Sequence, residues 1–564
     1  MGNKLLTGAI IKGITAIGKK DVNTMKQNCA NAKKINEDLL MQIVKDNAET
    51  EYGKKYNFSQ IHSIEDYKKN VPFSTFDDYA PYIDRMVKKG EKNLITAYPI
   101  VQYAETSGSI GVPKKIPVSD RSMKIYTKYT ITRVTALADK YCKENKGHGL
   151  PVGRGFNQLE IVDRYLEDGT PLGNISGSAA KSYKALFPYY LTSPLPVLIP
   201  NGYMNIMFLK VLYALKDRDM SFMFSVFMTN IVDMMVYIQN NWELLCDTIE
   251  TGKFSDDIEI EDSVKEELMK VTKPDPKRAE ELRAEFKKGF DTPIIPRIWK
   301  KMSFICTIGT GGFASYTEKM RSFSGDVPID FSIYGASEAM MAACTALESP
   351  EFAILPDSCF YEFIPAAAPE GTKETLNLDQ LKPGEDYEII ITNLSGFYRY
   401  RIKDVVTCLG YEGESPKITF AYRKSQLLDL AGDKITEACM DKVIKRLGEE
   451  LKVPIIDYAV FPNRDVSPSH YEFLIEPDGV LDSSKTEEYR DILERILGEE
   501  NPVYKECTDT NEIDHAILYL QQPQTHAFWR ELKVAKGTSI NQVKPVRVLD
   551  SPAKKKFFYK LRDL

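Results

Sequence analysis

The chain has 564 residues, with 74 Lys and Arg against 80 Asp and Glu, for a formal net charge of −6. That balance excludes a dedicated nucleic-acid binder, which carries a basic surplus, and a 43% hydrophobic content supplies a large core. Nine scattered cysteines with no CxxC pair suit reduced thiols in a cytoplasmic protein, and five histidines with no HExxH pattern argue against structural zinc.

An apolar stretch over residues 5–17, interrupted by Lys12, reads as an amphipathic helix packed on the body. It is too short to span a bilayer, and Leu6 stands where a myristoylation signal has Ser or Thr. Helical periodicity recurs over 24–50, with Leu39, Leu40, Ile43 and Val44 on one face. A Pro- and Tyr-rich stretch over 71–82 leads into a helix over 83–89. Strands over 95–103 and 115–118 flank a Gly/Ser loop, and Ser119 caps a long helix over 120–143. A strand over 221–228 and a helix over 232–251 follow. Asp233 interrupts the apolar run there, so no membrane span is expected. The charged segment 255–288 reads as a solvated face, with Pro274 and Pro276 opening a helix. Further strands are predicted over 303–308, 329–334, 360–364, 387–392 and 404–411. After a composition change beyond Phe420 come a helix from 433, strands over 455–461 and 470–475, a helix over 486–497, a strand over 515–521 and a Lys-rich tail. The fold class is therefore α/β. A large N-terminal domain, 1–424, precedes a small α+β domain, 425–564.

Four segments carry chemistry. Residues 106–115 read TSGSIGVPKK between two predicted strands. The backbone of Gly108 and Gly111, the hydroxyls of Thr106, Ser107 and Ser109 and the charge of Lys114 can cradle a phosphate; an ordinary hairpin loop has the same composition. Residues 334–338, Tyr334-Gly335-Ala336-Ser337-Glu338, follow an apolar strand and place a carboxylate where Mg²⁺ could bind. Asp404, among the arginines of YRYRIKD, is either part of a surface salt-bridge cluster or an acceptor for two ribose hydroxyls. Lys544, before Pro545 in a segment free of acidic residues, could reach a reacting phosphate. Residues 13–20, GITAIGKK, nearly match a Walker A loop, but Lys20 replaces the metal-binding hydroxyl and no strand precedes them. No GxSxG elbow, GxGxxG loop or kinase HRD set occurs.

In this order the segments resemble the adenylate-forming superfamily, and more narrowly the auxin-responsive Gretchen Hagen family of acyl acid amido synthetases. Thr50-Glu51-Tyr52-Gly53, residues 79–85 with Gly90-Glu91, Pro296-Arg297-Ile298-Trp299 and Gly309-Thr310-Gly311-Gly312 match its pattern too. The resemblance implies a large adenylate-forming domain of mixed sheets, flanking helices and a small β subdomain, with a mobile C-terminal domain. It implies ATP and Mg²⁺ as cofactors, a small carboxylic acid as substrate and an amine, an amino acid in this family, as acceptor. Neither nucleic acid nor membrane is a partner. The loop 106–111 with Lys114 would hold phosphates, although Ile110 replaces one family hydroxyl. Gly311 and Gly312 would line adenine. Tyr334 to Ser337 would contact nucleotide, and Glu338 would bind Mg²⁺. Asp404 would hold ribose, with Lys403 standing where relatives often have Gly. Arg423 would contact the nucleotide, Lys424 and Ser425 would form the hinge, and Lys544 would serve adenylation. The acid pocket is expected to draw on the 120–143 helix and the Met/Phe-rich stretch 204–228. Two other readings share these residues: an acyl-CoA or acyl-protein ligase, and a nucleotide-binding regulator with a degenerate site.

Overall fold

The computed structural model describes residues 4–106, 114–158, 161, 164–175, 177, 184–199, 204–310, 316–369, 371–424, 428–431, 433–536, 538 and 543–562. Its strands, in chain order, begin with β1 (Ile100–Thr106), β2 (Lys114–Ser119), β3 (Gly155–Asn157), β4 (Arg164–Tyr165) and β5 (Pro171–Gly173). Then come β6 (Phe222–Phe227), β7 (Phe304–Ile308), β8 (Ile329–Asp330), β9 (Ile333–Gly335), β10 (Met340–Cys344) and β11 (Phe352–Ile354). The series closes with β12 (Cys359–Pro365), β13 (Asp386–Asn393), β14 (Tyr400–Glu412), β15 (Ser415–Arg423), β16 (Ile455–Asn463), β17 (His470–Pro477) and β18 (Ile517–Leu520).

They build four sheets. A parallel sheet has the order β3-β6-β7-β8. Its strands are apolar on both sides: in β6, Phe222 joins one core cluster and Met223 another. That is the pattern of a sheet covered by helices on both faces. A seven-stranded antiparallel sheet has the order β12-β13-β14-β15-β11-β10-β9, and a smaller sheet the order β2-β1-β5-β4. The C-terminal sheet, β16-β17-β18, has its own core. Alternation along β16 turns Tyr458 and Val460 toward the helices Glu437–Leu451 and Thr486–Glu500, and turns Ala459 toward Trp529 and Phe558.

The predicted elements recur with instructive differences. The N-terminal helix runs Lys4–Ala30 and swallows GITAIGKK whole. Gly18 has a packing reason: a Cβ there would lie 1.9 Å from the Thr132 carbonyl. The predicted 120–143 helix breaks at Thr130 into Asp120–Tyr129 and Ile131–Lys146. Ser119 caps it as expected, accepting from the Ser122 N–H at 3.1 Å. The Lys-rich tail includes a helix, Pro552–Lys560. Among the described residues, no helix is long and apolar enough to cross a membrane.

The predicted 329–334 strand is two strands. β8 ends the parallel sheet and β9 edges the antiparallel one, with Ser332 between them at φ 66°. Arg133 pins this crossing from the adjacent helix. Its Nη1 and Nη2 donate to the two Asp330 carboxylate oxygens at 3.1 and 2.8 Å. The same nitrogens reach the Cys344 and Ser332 carbonyls at 2.7 and 2.9 Å, and Nε reaches the Tyr129 carbonyl at 2.9 Å. All five N–H groups are used and both side chains are fully buried.

A second buried polar cluster lies where the small domain meets the body. Asp457 of β16 accepts from Arg547, from the Tyr316 hydroxyl of the body, and from His526 Nδ1 at 3.2 Å. Burial pushes His526 down to about 4, against the pull of Asp457. The neutral Nδ1–H tautomer fits, because protonation would place an unpartnered N–H at the buried Nε2. Neighbouring Glu476, which accepts from the His526 backbone N–H, is pushed up by burial to about 7.

Two outcomes follow from these clusters. Arg133→Met strands Asp330 without its counter-ion and lowers the unfolding free energy by about 3–5 kcal/mol in a denaturant titration. A group whose folded pKa is depressed loses its stabilising contribution as pH falls from the unfolded value, so His526 costs stability between about 6.5 and 4. Glu476, raised, does the opposite across a similar window. His526→Gln therefore gains about 2 kcal/mol on wild type between pH 7 and pH 5, read in small-domain unfolding curves.

Candidate active site

The site is built on adjoining strands of the antiparallel sheet. β14 is bulged, its pairing slipping between Arg401 and Val405 against β13. Lys403 takes the extra place at φ 69° and points outward, while Asp404 turns inward and is buried. Bulges commonly re-aim a side chain in this way. Asp404 pairs across the hairpin with Arg423 of β15, whose Nε donates to Asp404 Oδ1 at 2.5 Å. The Tyr334 hydroxyl of β9 donates to Oδ2 at 3.0 Å. Burial disfavours the Arg423 charge, but Asp404 outweighs it and holds the guanidinium's pKa above its usual value.

Glu338 sits in the turn from β9 to β10, closed by the Ala336 N–H donating to the Ala339 carbonyl at 2.8 Å. The Tyr400 hydroxyl donates to Glu338 Oε1 at 3.0 Å, and Asn393 Nδ2 holds the Glu338 carbonyl at 2.8 Å. Tyr126, on the helix after β2, donates to the Ala336 carbonyl at 2.8 Å. Gly335 is exposed and Ser337 half-buried, so the turn faces open space.

The C-terminal segment arrives at the same place. Lys544 is exposed, and the charged groups that act on it are Arg423, Asp404, Glu437 and Glu338; the recess is the space these groups share. Burial first, then the like charge of Arg423, lower its pKa, while Asp404, Glu437 and Glu338 oppose that. Glu437 begins the helix Glu437–Leu451; burial raises its pKa, and Arg547, Lys544 and Arg423 work against this. Lys424 donates to the fully buried Glu388 at 2.7 Å, and Arg401 grips the same carboxylate at 2.8 and 2.6 Å. Both cations hold Glu388 below the usual range despite its burial.

Thus Tyr334, Glu338, Asp404, Arg423 and Lys544 come together. Thr106 and Lys114 are the last pair at the loop end of the β1–β2 hairpin, where the Lys114 ammonium lies 4.7 Å from the Phe76 ring centre. Ser107, Gly108, Ser109, Gly111, Gly311, Gly312 and Ser425 lie outside the described residues. Gly309 ends β7 tightly: a Cβ would meet Met228 at 2.4 Å. Most of the Met/Phe-rich stretch is buried core. Tyr126, Asn393, Tyr400 and Glu437 were not singled out in the sequence. Tyr400 lies within YRYRIKD, and its alternation with Arg399 and Arg401 was the available signal; the others carry none.

Comparison with known proteins matches three consecutive stretches. The GH3 family N-terminal domain covers residues 21–329, its central domain 352–423 and its C-terminal domain 438–553. The chain belongs to the GH3 family. It is 26% identical to the probable indole-3-acetic acid-amido synthetase GH3.1 of Arabidopsis thaliana, over 94% of this chain and 91% of that protein. Identity is 28% to the jasmonoyl–L-amino acid synthetase JAR4 of Nicotiana attenuata, over 91% and 88%. The solved structure of AtGH3.15 acyl acid amido synthetase in complex with 2,4-DB superposes with a TM-score of 0.85 at 25% identity, covering 97% of this chain and 96% of that one.

The positive φ at Lys403 is a conformation that glycine adopts without steric cost and a residue with a side chain does not. Lys403→Gly relieves the strain and raises stability by about 1 kcal/mol, seen as a higher thermal midpoint. Lys403→Val, β-branched at the same φ, lowers it.

Proposed function

We propose that this GH3 chain is an ATP-dependent acyl acid amido synthetase, which adenylates a small carboxylic acid and then joins its acyl group to the amine of an amino acid. The reading rests above all on one observation: Glu338, the hairpin pair Asp404 and Arg423, and Lys544, from three separate stretches, lie within electrostatic reach of one another. Curated relatives named as an indole-3-acetic acid-amido synthetase, a benzoates-glutamate ligase and a jasmonoyl–L-amino acid synthetase, matched over most of their length, support the reaction class.

In the first step a carboxylate oxygen attacks the α-phosphorus of ATP and pyrophosphate leaves. Every reacting group is negative, so cations fixed in advance favour the transition state. Lys544 would supply charge to the departing phosphates, and the hairpin loop ending at Thr106 and Lys114 would hold them. Asp404, already fixed by Tyr334 and Arg423, would accept ribose hydroxyls through its remaining lone pairs. Glu338 would hold Mg²⁺, which supplies charge neutralisation on the phosphates. A single carboxylate suits that ion, whose other ligands come from phosphate and water. Among the described residues no group of three or more His, Cys, Asp or Glu gathers to hold a metal by itself. In the second step the amine attacks the acyl carbon and AMP leaves. Between the steps the 425–564 domain would swing at Lys424 and Ser425, opening the acyl-AMP to the acceptor. The protein would work in the cytoplasm on small molecules, without nucleic acid or membrane.

Mass spectrometry after incubation with ATP, Mg²⁺, mixed carboxylic acids and mixed amino acids should show an amide and AMP. Thioester formed from CoA, with no amide, would overturn the acceptor assignment. Lys544→Ala should slow pyrophosphate release about a hundredfold or more, equivalent to roughly 3–4 kcal/mol, with unchanged circular dichroism. Normal release by that variant removes Lys544 from the mechanism.

A further inference from the structure

Each domain has its own apolar core, yet the contact between them includes a chain of buried polar groups. Arg530, on the small-domain helix Thr525–Ala535, reaches into the body. Its Nε and Nη2 fork onto Asp233 at 2.9 and 2.6 Å, on the body helix Met228–Thr251. Its Nη1 donates to the Tyr316 hydroxyl at 3.1 Å. Tyr316, also of the body, in turn donates to Asp457 of the small domain. The Arg530 side chain is 8% exposed and that of Asp457 0%.

The chain of contacts continues to the lysine. Asp457 binds Arg547, whose Nη1 also reaches the Tyr458 carbonyl at 3.2 Å and whose guanidinium lies 4.3 Å from the Tyr458 ring centre. Arg547 lies three residues after Lys544, and Val548 beside it bridges to Val460 of β16. The carboxylate that takes the Tyr316 hydroxyl therefore also anchors the segment that presents Lys544.

We infer that Asp233, Tyr316, Arg530 and Asp457 form an inter-domain latch that holds the closed pose and so positions Lys544 at the recess. The inference rests on the proposed function only for its kinetic consequence; the latch itself is a statement about domain arrangement. These are positioning residues, since none touches the recess. An ionic latch suits a joint that must open. Removing one partner strands a buried charge, which is costly, but separating both surfaces returns every group to water. On opening, Asp457 keeps the Arg547 charge and the neutral His526 N–H, both from its own domain, so this carboxylate stays compensated when the small domain is undocked. An apolar interface of equal area would resist separation without that compensation.

The test uses the full chain with single cysteines introduced at Asp256 and Val480. Both side chains are almost fully exposed, one in each domain. Eight of the nine native cysteines are buried and Cys439 is half-buried, so spin labels report mainly the introduced pair. Pulsed dipolar spectroscopy on the unliganded protein should give one dominant distance. Arg530→Met should move at least half of the population to other distances, and Tyr316→Phe, which removes a single oxygen, a smaller share. In rate, Arg530→Met should slow pyrophosphate release tenfold or more while amide formation from supplied acyl-AMP stays within twofold of wild type. An unchanged distance distribution in both variants overturns the latch, as does equal slowing of both half-reactions. Should wild type release no pyrophosphate with any acid, the proposed function fails, and the distances still decide the latch.

Discussion

The buried Arg133–Asp330 pair is the constraint on which the site depends. The chain leaves a parallel sheet at Asp330 and enters an antiparallel one at Ile333, within two residues and through a positive φ at Ser332. At this crossing the Ser332 carbonyl has the Cys344 N–H of β10 at 3.2 Å, and buried polar groups with lone pairs to spare take further partners. Arg133 supplies them from outside both sheets, donating to the Ser332 and Cys344 carbonyls while its charge is balanced by Asp330. Tyr334 and Glu338 follow directly, so their positions are set by this crossing. A helix residue far from the chemistry thereby sets the geometry of the recess.

The recess itself is held by hydrogen bonds rather than by shape. Tyr334 and Arg423 fix the two oxygens of Asp404, Tyr400 fixes one oxygen of Glu338, and Tyr126 and Asn393 fix the backbone of the turn. Buried hydroxyls do this well because each brings a large apolar ring that packs while its tip stays polar. Both carboxylates are thus oriented before any ligand arrives, which spares reorganisation at the moment of binding.

Much of this was legible in the sequence, for physical reasons that differ by element. β6 and the helix after it were readable because an apolar run and a 3.6-residue period are local signals. Ser119 was readable because a capping hydroxyl acts on a neighbour three residues away. The split at Ser332 was not, since it answers to the pairing of distant strands, and no local signal marks the break at Thr130. Asp404 could be singled out, but the bulge that turns it inward is a matter of pairing with β13, and nothing in YRYRIKD announces it. Glu437 and Tyr126 reach the recess only through tertiary structure. GITAIGKK shows the converse: a local pattern suggesting phosphate chemistry was overruled by a helix–helix contact at Gly18.

Glu388 gives one feature a wider meaning. This fully buried carboxylate is shared by Arg401, two residues from the bulge, and by Lys424, at the proposed hinge. Swinging the chain at Lys424 would leave the anion with a single counter-charge in a poorly hydrated setting. The proposed pivot would thus carry its own detent, a preference for one angle that needs neither nucleotide nor acid to act.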